Sequence, residues 1–418
     1  MQTSPWLGVV ADDYTGATDL AGMIARTGMR VVQYLGVPDE DLKAIDADVV
    51  VVALKSRSTP AAEATAESVA AARWLTARGV DQLYFKYCST FDSTDAGNIG
   101  PVTDALAAET GAGAVPFVPA SPEHGRTTFN GHHFVGTQLL SESPLKDHPI
   151  NPMTDSDLAR VLRRQTGTEV ANVFFGEVAQ GAEAIRERFA AAGARTYFIT
   201  DATSDGDLAT IAEATFDAPL VSGGASYAAA LAARRQRQGS PHRDPVVIPA
   251  GRALVLAGSG SAATREQLAR HRESHPFFEI DVYALARGED VVGQALDFVA
   301  AHPDEIPAVI ATTSPEQVRA IQADLGVERS STLIEQALGQ VAVGAVEQGF
   351  VRIMIAGGET SGAVVNALGI RALQIGQEVA PGVPWTVAVQ ESPLALLLKS
   401  GNFGGPEIFR DALTMADQ

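Results

Sequence analysis

The sequence contains a single cysteine, Cys88, among its 418 residues. One cysteine cannot form a disulfide within the chain, which is typical of a protein from a reducing compartment. No run of about 18 apolar residues is present, so we expect no transmembrane helix. The first residues also lack the basic start and apolar stretch of a secretory signal. These absences predict a cytoplasmic location.

Positive charge is also scarce. The chain has 31 Lys and Arg residues and 50 Asp and Glu residues, so its net charge is −19. A field of this sign repels nucleic acids and anionic membranes, so we expect neither as a partner. Hydrophobic residues make up 46% of the chain, which indicates folded domains rather than disorder. An acidic protein that binds an anion must gather cations or backbone N–H groups locally.

Short apolar runs alternate with longer Ala-rich stretches of helical spacing. The runs cover Leu7–Ala11, Val49–Leu54, Leu83–Tyr87, Tyr197–Thr200, Ala253–Ala257, Ala308–Ala311 and Arg352–Ala356, and the helical stretches include Ala61–Arg78 and Thr332–Gly349. Continuous apolar runs are typical of strands buried on both faces. The alternation predicts an α/β protein with mostly parallel sheets flanked by helices.

A polar, basic stretch with two prolines over residues 234–245 predicts a domain boundary. We therefore expect a first domain over residues 1–235, a linker over 236–250 and a second domain over 251–418, each with its own sheet, and a cleft between the domains. In open parallel sheets, ligands bind beyond the carboxyl ends of the strands. The residues that follow each strand are therefore the candidates for function.

The first strand runs directly into Asp12 and Asp13, and a helix is expected from about Thr18. Neighbouring side chains on an extended segment point in opposite directions. We expect Asp12 to face the ligand, where it binds a hydroxyl or accepts its proton. Asp13 is expected to cap the helix. The alternative is that both aspartates are only helix caps.

Two further strand ends carry polar residues. Lys55 and Arg57 follow the second run and suit an anionic substrate, since guanidinium matches a carboxylate, although a surface ion pair is the alternative. The third run leads into a set of polar groups expected to hydrogen-bond a polyhydroxylated ligand: Lys86, Ser89, Thr90 and Asp92. Cys88 lies among them and is expected to be a packed side chain rather than a nucleophile.

Residues 118–152 have little periodicity, which predicts an irregular binding loop or lid. The segment holds four histidines without a zinc-type spacing: His124, His132, His133 and His148. Substrate contact and plain loop packing are both open for them.

Three Gly-rich segments lie in the second domain, at residues 258–264, 357–362 and 399–406. The first two connect a strand to an expected helix, Arg265–His271 and Ala363–Leu368. Small residues there let backbone N–H groups approach a phosphate at a helix N-terminus. The chain has no Gly-x-x-x-x-Gly-Lys-Ser/Thr motif and no Gly-x-Gly-x-x-Gly after its first strand, which argues against a P-loop enzyme and a dinucleotide oxidoreductase. The segments predict nucleotide binding of another kind.

The chain resembles the four-carbon acid sugar kinases over nearly its whole length. The resemblance is carried by Ala11–Asp19, Lys55–Arg57, Gly258–Ser261 with Thr264 and Gln267, Gly357–Ser361 and Lys399–Gly404. Residues 86–94 and 97–103 look like the 3-oxo-tetronate kinase branch. The threonate and erythronate kinase branches carry a shorter Lys-Lys-x-Asp-Ser-Thr-Leu-Arg-Gly-Asn form there. Asp92 is one candidate for the aspartate of that form.

The resemblance implies an N-terminal acid-sugar domain, a C-terminal ATP domain and transfer of phosphate from ATP to the 4-hydroxyl of a 3-oxo-tetronate. It implies that Asp12, Arg57 and Ser89–Asp92 hold the acid, and that magnesium bridges the ATP phosphates through unidentified ligands. The residues implied or expected to hold ATP are Ser259, Ser261, Gly358, Glu359, Thr360, Ser361 and Gly404. A D-threonate or D-erythronate kinase and a non-catalytic regulatory protein are the alternatives. A homodimer is one option for the oligomeric state.

Overall fold

The computed structural model describes residues 4–39, 46–147, 151–239, 245–311 and 315–417. The chain divides into two compact units, residues 1–243 and residues 244–418. They are called the first unit and the second unit below. No helix in the described ranges has both the length and the apolar character needed to cross a membrane.

The first unit is an α/β domain. Its strands are β1 (Leu7–Ala11), β2 (Val31–Leu35), β3 (Val49–Ala53), β4 (Gln82–Lys86), β5 (Ala114–Val118), β6 (Arg126–Phe129), β7 (His132–Val135), β8 (Gln138–Leu139), β9 (Glu169–Val173), β10 (Thr196–Thr200) and β11 (Leu220–Gly223). Its helices are α1 (Tyr14–Ala25), α2 (Ala61–Thr76), α3 (Ile99–Thr110), α4 (Leu158–Arg163), α5 (Phe175–Val178), α6 (Ala182–Ala190), α7 (Asp205–Thr215) and α8 (Ala225–Arg237).

The main sheet of the first unit has the order β2-β3-β1-β4-β11-β5-β10-β9, and its strands are parallel. Central strands such as β3, with the sequence Val-Val-Val-Val-Ala, are buried along their whole length. Helices on both faces of a parallel sheet require this pattern, because neither face meets water. The sequence therefore predicted these strands correctly, with small shifts at their ends.

The second unit is also an α/β domain. Its strands are β12 (Arg252–Ala257), β13 (Phe277–Glu279), β14 (Ala308–Ile310), β15 (Phe350–Ala356), β16 (Ala372–Ala380), β17 (Val383–Ala388) and β18 (Ala395–Lys399). Its helices are α9 (Ala262–Arg272), α10 (Val282–Ala286), α11 (Val291–Ala300), α12 (Pro315–Leu325), α13 (Val327–Glu347), α14 (Gly358–Ala367) and α15 (Ile408–Ala416). The strand order is β13-β14-β12-β15-β18-β17-β16, parallel as far as β18 and antiparallel beyond it.

Three helices begin earlier than expected: α1 at Tyr14 rather than Thr18, α9 at Ala262 rather than Arg265, and α14 at Gly358 rather than Ala363. In α1 and α9 the reason is a side-chain cap, since Asp13 accepts from the N–H of Gly16 and Ser261 from that of Thr264. The loop residues proposed to bind ligands thus lie partly in first helical turns, where backbone N–H groups lack intrahelical acceptors.

The expectation of an irregular segment over residues 118–152 is wrong for residues 126–139. Strands β6, β7 and β8 form a 3-stranded antiparallel sheet there. Phe129 pairs with His132 across a two-residue turn in which Asn130 has φ 49° and Gly131 has φ 75°. Asn-Gly is a strong hairpin signal, because both residues tolerate positive φ. That dipeptide was the missed indication of a hairpin.

Candidate functional site

Strands β1, β3 and β4 of the first unit end together. Ala11 pairs with Ala53 on one side and with Lys86 on the other. The carbonyl of Asp12 accepts from the backbone N–H groups of Ser56 at 3.0 Å and Arg57 at 3.2 Å. The residues after these strands therefore meet at one edge of the sheet, where ligands of parallel sheets bind.

Arg57 and Asp12 form a bidentate ion pair at this edge. Arg57 Nε donates to Asp12 Oδ2 at 2.8 Å, and Nη2 donates to Asp12 Oδ1 at 2.8 Å and to Asp13 Oδ1 at 2.6 Å. Arg57 Nη1 has no acceptor among the residues that the structure describes. The guanidinium is thus held by two carboxylates and keeps one nitrogen for a ligand.

Burial and charge act in opposite directions on this pair. Burial raises the pKa of the Asp12 carboxyl above its ordinary value, while Arg57 opposes the increase. Burial lowers the pKa of Arg57, but Asp12 and Asp13 raise it by more, so the guanidinium stays charged. Asp13 also accepts from the N–H of Gly16 at 3.2 Å, so it caps α1 as expected.

Lys86 lies beside Asp12 and is only 3% exposed. Its Nζ donates to the carbonyl of Tyr87 at 2.7 Å, and no described residue forms an ion pair with it. A Cβ at Gly16 would lie 2.8 Å from this Nζ, so the glycine lets the ammonium approach α1. A buried ammonium without a carboxylate partner is costly unless an anion or several acceptors reach it.

Asp19 is a residue that the sequence analysis did not assign. One of its carboxyl oxygens is buried without a hydrogen-bond partner among the described residues. Burial raises the pKa of Asp19, and Lys86 opposes that shift. Its spacing of three residues from Gly16 on α1 was the available signal, since i and i+3 share a helix face.

The polar residues after β4 are linked to one another. Thr90 Oγ1 donates to Asp92 Oδ1 at 2.6 Å and lies 2.8 Å from Cys88 Sγ. Between them, Phe91 has φ 55° and its buried ring packs against Tyr87 with centroids 5.3 Å apart. Burial raises the pKa of Cys88 to about 11, so the thiol is protonated at neutral pH. This agrees with the expectation that Cys88 is not a nucleophile.

Lys55 lies in the same loop as Arg57 but is exposed, with its Nζ 5.1 Å from the ring centre of Tyr14. Asn98, which the sequence analysis did not assign, is buried behind this loop. Its Nδ2 lies within hydrogen-bond distance of the carbonyls of Ser56 at 2.7 Å, Arg57 at 3.3 Å and Thr59 at 2.9 Å. Asn98 therefore fixes the loop that presents Arg57.

The histidines have separate roles. His133 is fully buried, its Nδ1 lies 3.0 Å from Thr128 Oγ1, and burial lowers its pKa to about 4. The ring is therefore neutral at pH 7, and its buried Nε2 has no hydrogen-bond partner among the described residues. A substrate contact for His133 stays a prediction. His124 Nδ1 lies 2.9 Å from Ser121 Oγ, and His132 Nδ1 lies 2.9 Å from the carbonyl of Asn130. His148 lies outside the described residues.

Strands β12, β15 and β18 of the second unit also end together, since Ala356 pairs with Ala257 and with Lys399. The N–H groups of Gly258 and Ser259 both donate to the carbonyl of Ala356 at 3.2 Å. These two N–H groups are therefore not free to bind phosphate. The prediction that the first Gly-rich segment binds phosphate through its backbone N–H groups does not hold for them. Ser259 instead lies close to the third segment, because a Cβ at Gly401 would overlap its Oγ.

The second Gly-rich segment forms the first turn of α14. The N–H groups of Gly358, Glu359 and Thr360 have no acceptor within the helix, whereas Ser361 N–H donates to the carbonyl of Gly357 at 2.8 Å. Gly358 and Glu359 are exposed, and Thr360 and Ser361 are buried. A Cβ at Gly258 would overlap Thr360 Oγ1, so the first segment requires glycine here. The helix N-terminus is the part of this edge that can bind an anion.

The third Gly-rich segment is held by two buried side chains. Gln267 Nε2 lies within hydrogen-bond distance of the carbonyls of Phe403 at 3.0 Å, Gly404 at 3.0 Å and Gly405 at 3.2 Å. Gly404 has φ 82°, a conformation that favours glycine. Lys399 Nζ donates to Thr264 Oγ1 at 3.1 Å, to the carbonyl of Ser400 at 3.1 Å and to that of Gly401 at 3.2 Å. Neither Gln267 nor Lys399 was predicted from the sequence to have a role of its own.

Comparison with known families gives two matches. Residues 7–231 match a sugar-binding N-terminal domain, and residues 254–409 match a nucleotide-binding C-terminal domain. A Cupriavidus necator protein named 3-oxo-tetronate kinase is 52% identical over 98% of this chain and 96% of its own length. The chain belongs to the four-carbon acid sugar kinase family.

Other relatives of this acid sugar kinase family member are similar to it over nearly its whole length. A Burkholderia multivorans 3-oxo-tetronate kinase is 50% identical over 99% of this chain and 98% of its own length. A solved Haemophilus influenzae structure is 42% identical, covers 98% of this chain and 100% of its own, and has a TM-score of 0.89. A solved Salmonella typhimurium structure that bears the name of a tRNA synthase is 39% identical, covers 97% and 98%, and has a TM-score of 0.91.

Proposed function

We propose that this chain is an ATP-dependent kinase that phosphorylates the 4-hydroxyl of a 3-oxo-tetronate. The observation that carries the proposal is the 52% identity over 98% of the chain to a 3-oxo-tetronate kinase. The two sheet edges support it, because one gathers buried cations and carboxylates and the other presents a free helix N-terminus. ATP supplies the phosphoryl group.

The first unit is proposed to bind the acid. The free Nη1 of Arg57 and the unpaired ammonium of Lys86 are the two cations available for the substrate carboxylate and keto oxygen. They supply the local positive charge that a protein of net charge −19 requires. Ser89, Thr90 and Asp92 are proposed to hydrogen-bond the hydroxyl groups. Lys55 is exposed and receives no proposed contact.

Asp12 is proposed to orient the 4-hydroxyl and accept its proton. Each of its oxygens accepts one hydrogen bond from Arg57, and each keeps a second lone pair for the hydroxyl. The raised pKa of this buried carboxyl makes it a better proton acceptor than an exposed aspartate of the same geometry. Phosphoryl transfer needs positioning and charge neutralisation more than covalent catalysis, so this one proton is the first unit's chemical task.

The second unit is proposed to bind ATP. The N–H groups of Gly358, Glu359 and Thr360, which have no acceptor within α14, are the proposed phosphate donors. Ser259, Ser261, Ser361 and Gly404 are proposed to line the same site. Magnesium is proposed to bind with the nucleotide: no cluster of three or more potential ligands exists in the described part of the chain, and Mg²⁺ in such sites keeps waters and substrate phosphates rather than a protein cage.

The other readings have less support. The tRNA synthase name of the Salmonella relative conflicts with the net charge of −19, because binding to RNA phosphates relies on Lys and Arg. A D-threonate or D-erythronate kinase would share the same phosphate edge and differ in the acid. A regulatory protein would bind both ligands without turnover.

The product decides among these possibilities. We expect the purified protein with ATP, Mg²⁺ and a 3-oxo-tetronate to release one equivalent of ADP for each acid consumed. The ³¹P spectrum of the product should show a phosphomonoester coupled to the protons of carbon 4. Binding of both ligands without ADP release would identify a regulatory protein, and a phosphate on another carbon would contradict the proposed role of Asp12.

A further inference from the structure

Lys399, at the end of β18, is a buried cation of the second unit. Its side chain is 1% exposed, and no described residue forms an ion pair with it. The other deeply buried cation of the second unit, Arg352 on β15, pairs with Asp417 at 2.6 Å. A buried charge normally has such a partner, because desolvation is otherwise uncompensated. Lys399 is held by neutral acceptors instead, so its charge remains available to an anion that arrives with a ligand.

All three N–H groups of Lys399 hold the Gly-rich segments in place. They donate to Thr264 Oγ1 and to the carbonyls of Ser400 and Gly401. The Gly401 carbonyl accepts two more hydrogen bonds, from Ser261 Oγ at 2.6 Å and from Thr264 Oγ1 at 2.9 Å. One ammonium thus connects the third Gly-rich segment to the capped start of α9.

The same residue is also connected to the start of α14. The carbonyl of Lys399 accepts from the N–H of Gly357 at 2.9 Å, directly before the free N–H groups of Gly358, Glu359 and Thr360. The positive charge therefore lies at the strand edge where the helix N-terminus presents its own partial positive charge. Both features favour the same ligand, an anionic polyphosphate.

We propose that Lys399 is a positioning residue for the nucleotide phosphates: it fixes the Gly401 and Thr264 segments and supplies the buried positive charge that the polyphosphate neutralises. The inference rests on the proposed ATP site. It assigns Lys399 no direct contact with a phosphate, since its three donors are occupied by the protein.

Two variants separate this role from a purely structural one. Lys399→Met removes the charge and keeps an unbranched buried chain, whereas Arg352→Met removes a buried cation elsewhere on the same sheet. Calorimetric titration of the full chain with ADP and with adenosine provides the readout, and Lys399→Arg tests rescue by charge. We expect Lys399→Met to weaken ADP binding by about tenfold or more, because the phosphates lose a buried positive charge and the Gly401 and Thr264 segments lose their shared donor.

Adenosine, which lacks phosphates, should bind Lys399→Met as it binds the wild type, and Arg352→Met should bind ADP normally. An equal loss for ADP and adenosine would mean that Lys399 only supports the fold, and an unchanged ADP affinity would also overturn the proposal. If the wild type bound no ADP, the proposed kinase function would fail first. These outcomes distinguish the two hypotheses.

A measurement on the wild type covers the case in which Lys399→Met does not fold. Burial lowers the pKa of Lys399 to about 8 and is the one cause of that shift. The charged or titratable side chains on the elements packed around β18 do not alter it: Arg352 on β15, Glu359 on α14, and Arg265, Glu266, Arg270, His271 and Arg272 on α9.

A bound polyphosphate favours the charged ammonium and raises this pKa. At pH 8, where the free protein holds the proton on about half of its molecules, ADP binding should therefore take up protons. The uptake is obtained from binding enthalpies in buffers of different ionisation enthalpy. Absence of proton uptake at pH 8, with normal ADP binding, would overturn the proposal.

Discussion

Asp12 receives two hydrogen bonds from a single guanidinium, so a substitution there affects both partners. Asp12→Asn removes the charge and one acceptor, and leaves Arg57 paired with Asp13 alone. We expect turnover to fall by roughly 10²- to 10⁴-fold, the usual size of a lost general base. The KM for ATP should change little, because ATP is proposed to bind the second unit and Asp12 belongs to the first.

Asp13→Asn is the matched control for this substitution. Asn caps helices as well as Asp does, so α1 should keep its start, and the Asp12–Arg57 pair remains. Steady-state kinetics of the two variants, with circular dichroism to check folding, tests the assignment. Near wild-type turnover of a folded Asp12→Asn protein would contradict the proposed proton acceptor.

The reactivity of the Cys88 thiol should depend on pH. Its pKa of about 11 is above the ordinary value because of burial, so the thiolate fraction is very small at pH 7 and rises with pH up to about 11. Alkylation by iodoacetamide, followed by mass spectrometry, should therefore accelerate from pH 7 to pH 10 without reaching a plateau. A plateau below pH 9 would show a reactive thiolate and reopen the nucleophile hypothesis.

At the scale of elements, two buried glutamines make the same contact in different places. The Nε2 of Gln267 on α9 lies within hydrogen-bond distance of the carbonyls of Phe403, Gly404 and Gly405, and that of Gln82 on β4 lies within hydrogen-bond distance of those of Thr215, Phe216 and Ala218. Each glutamine ties a loop to its unit. Only the loop held by Gln267 belongs to the proposed ATP site.

Leucine substitutions at these glutamines should separate stability from binding. Each leaves carbonyl groups without a donor, so each should lower the free energy of unfolding by about 1–3 kcal/mol in denaturant titrations. Gln267→Leu should in addition raise the KM for ATP, whereas Gln82→Leu should leave both KM values unchanged. Equal KM values for the two variants would show that the third Gly-rich segment does not bind the nucleotide.

The sequence predicted the elements better than the contacts between them. Buried strands such as β1 and β3 were recognised because parallel strands read as continuous apolar runs. The hairpin β6–β7 was missed because its strands are short and the Asn130-Gly131 signal was not used. The early start of α14 was not predicted from its Gly-rich composition, since glycine is unfavourable in helices. The close approach of Thr360 to Gly258 is a tertiary contact that the sequence does not reveal.

The candidate site shows the same division. The sequence predicted that Asp12, Arg57 and Lys86 follow strand ends, and the structure places them together at one edge of the sheet. That Arg57 pairs with Asp12, and that Asn98 lies behind the loop, depends on contacts between residues far apart in the chain. The sequence also could not show which backbone N–H groups already have an acceptor. Those of Gly258 and Ser259 donate to the carbonyl of Ala356.

For the whole molecule, we propose one chemical task for each unit, at the carboxyl ends of its own parallel strands. The first unit contributes the Asp12–Arg57 pair, Lys86 and the Thr90–Asp92 cluster, which suit a small acid with hydroxyl groups. The second contributes the N-terminus of α14 and the buried ammonium of Lys399, which suit a polyphosphate. The cleft expected between the domains stays a prediction.

A side-by-side assay can show whether the acid is a 3-oxo-tetronate. ADP release, coupled to pyruvate kinase and lactate dehydrogenase, is measured with both 3-oxo-tetronates and with D-threonate and D-erythronate under identical conditions. A site that hydrogen-bonds the keto oxygen should favour one 3-oxo acid by at least about 100-fold in kcat/KM over either hydroxy acid. A higher kcat/KM for D-threonate or D-erythronate would contradict the account.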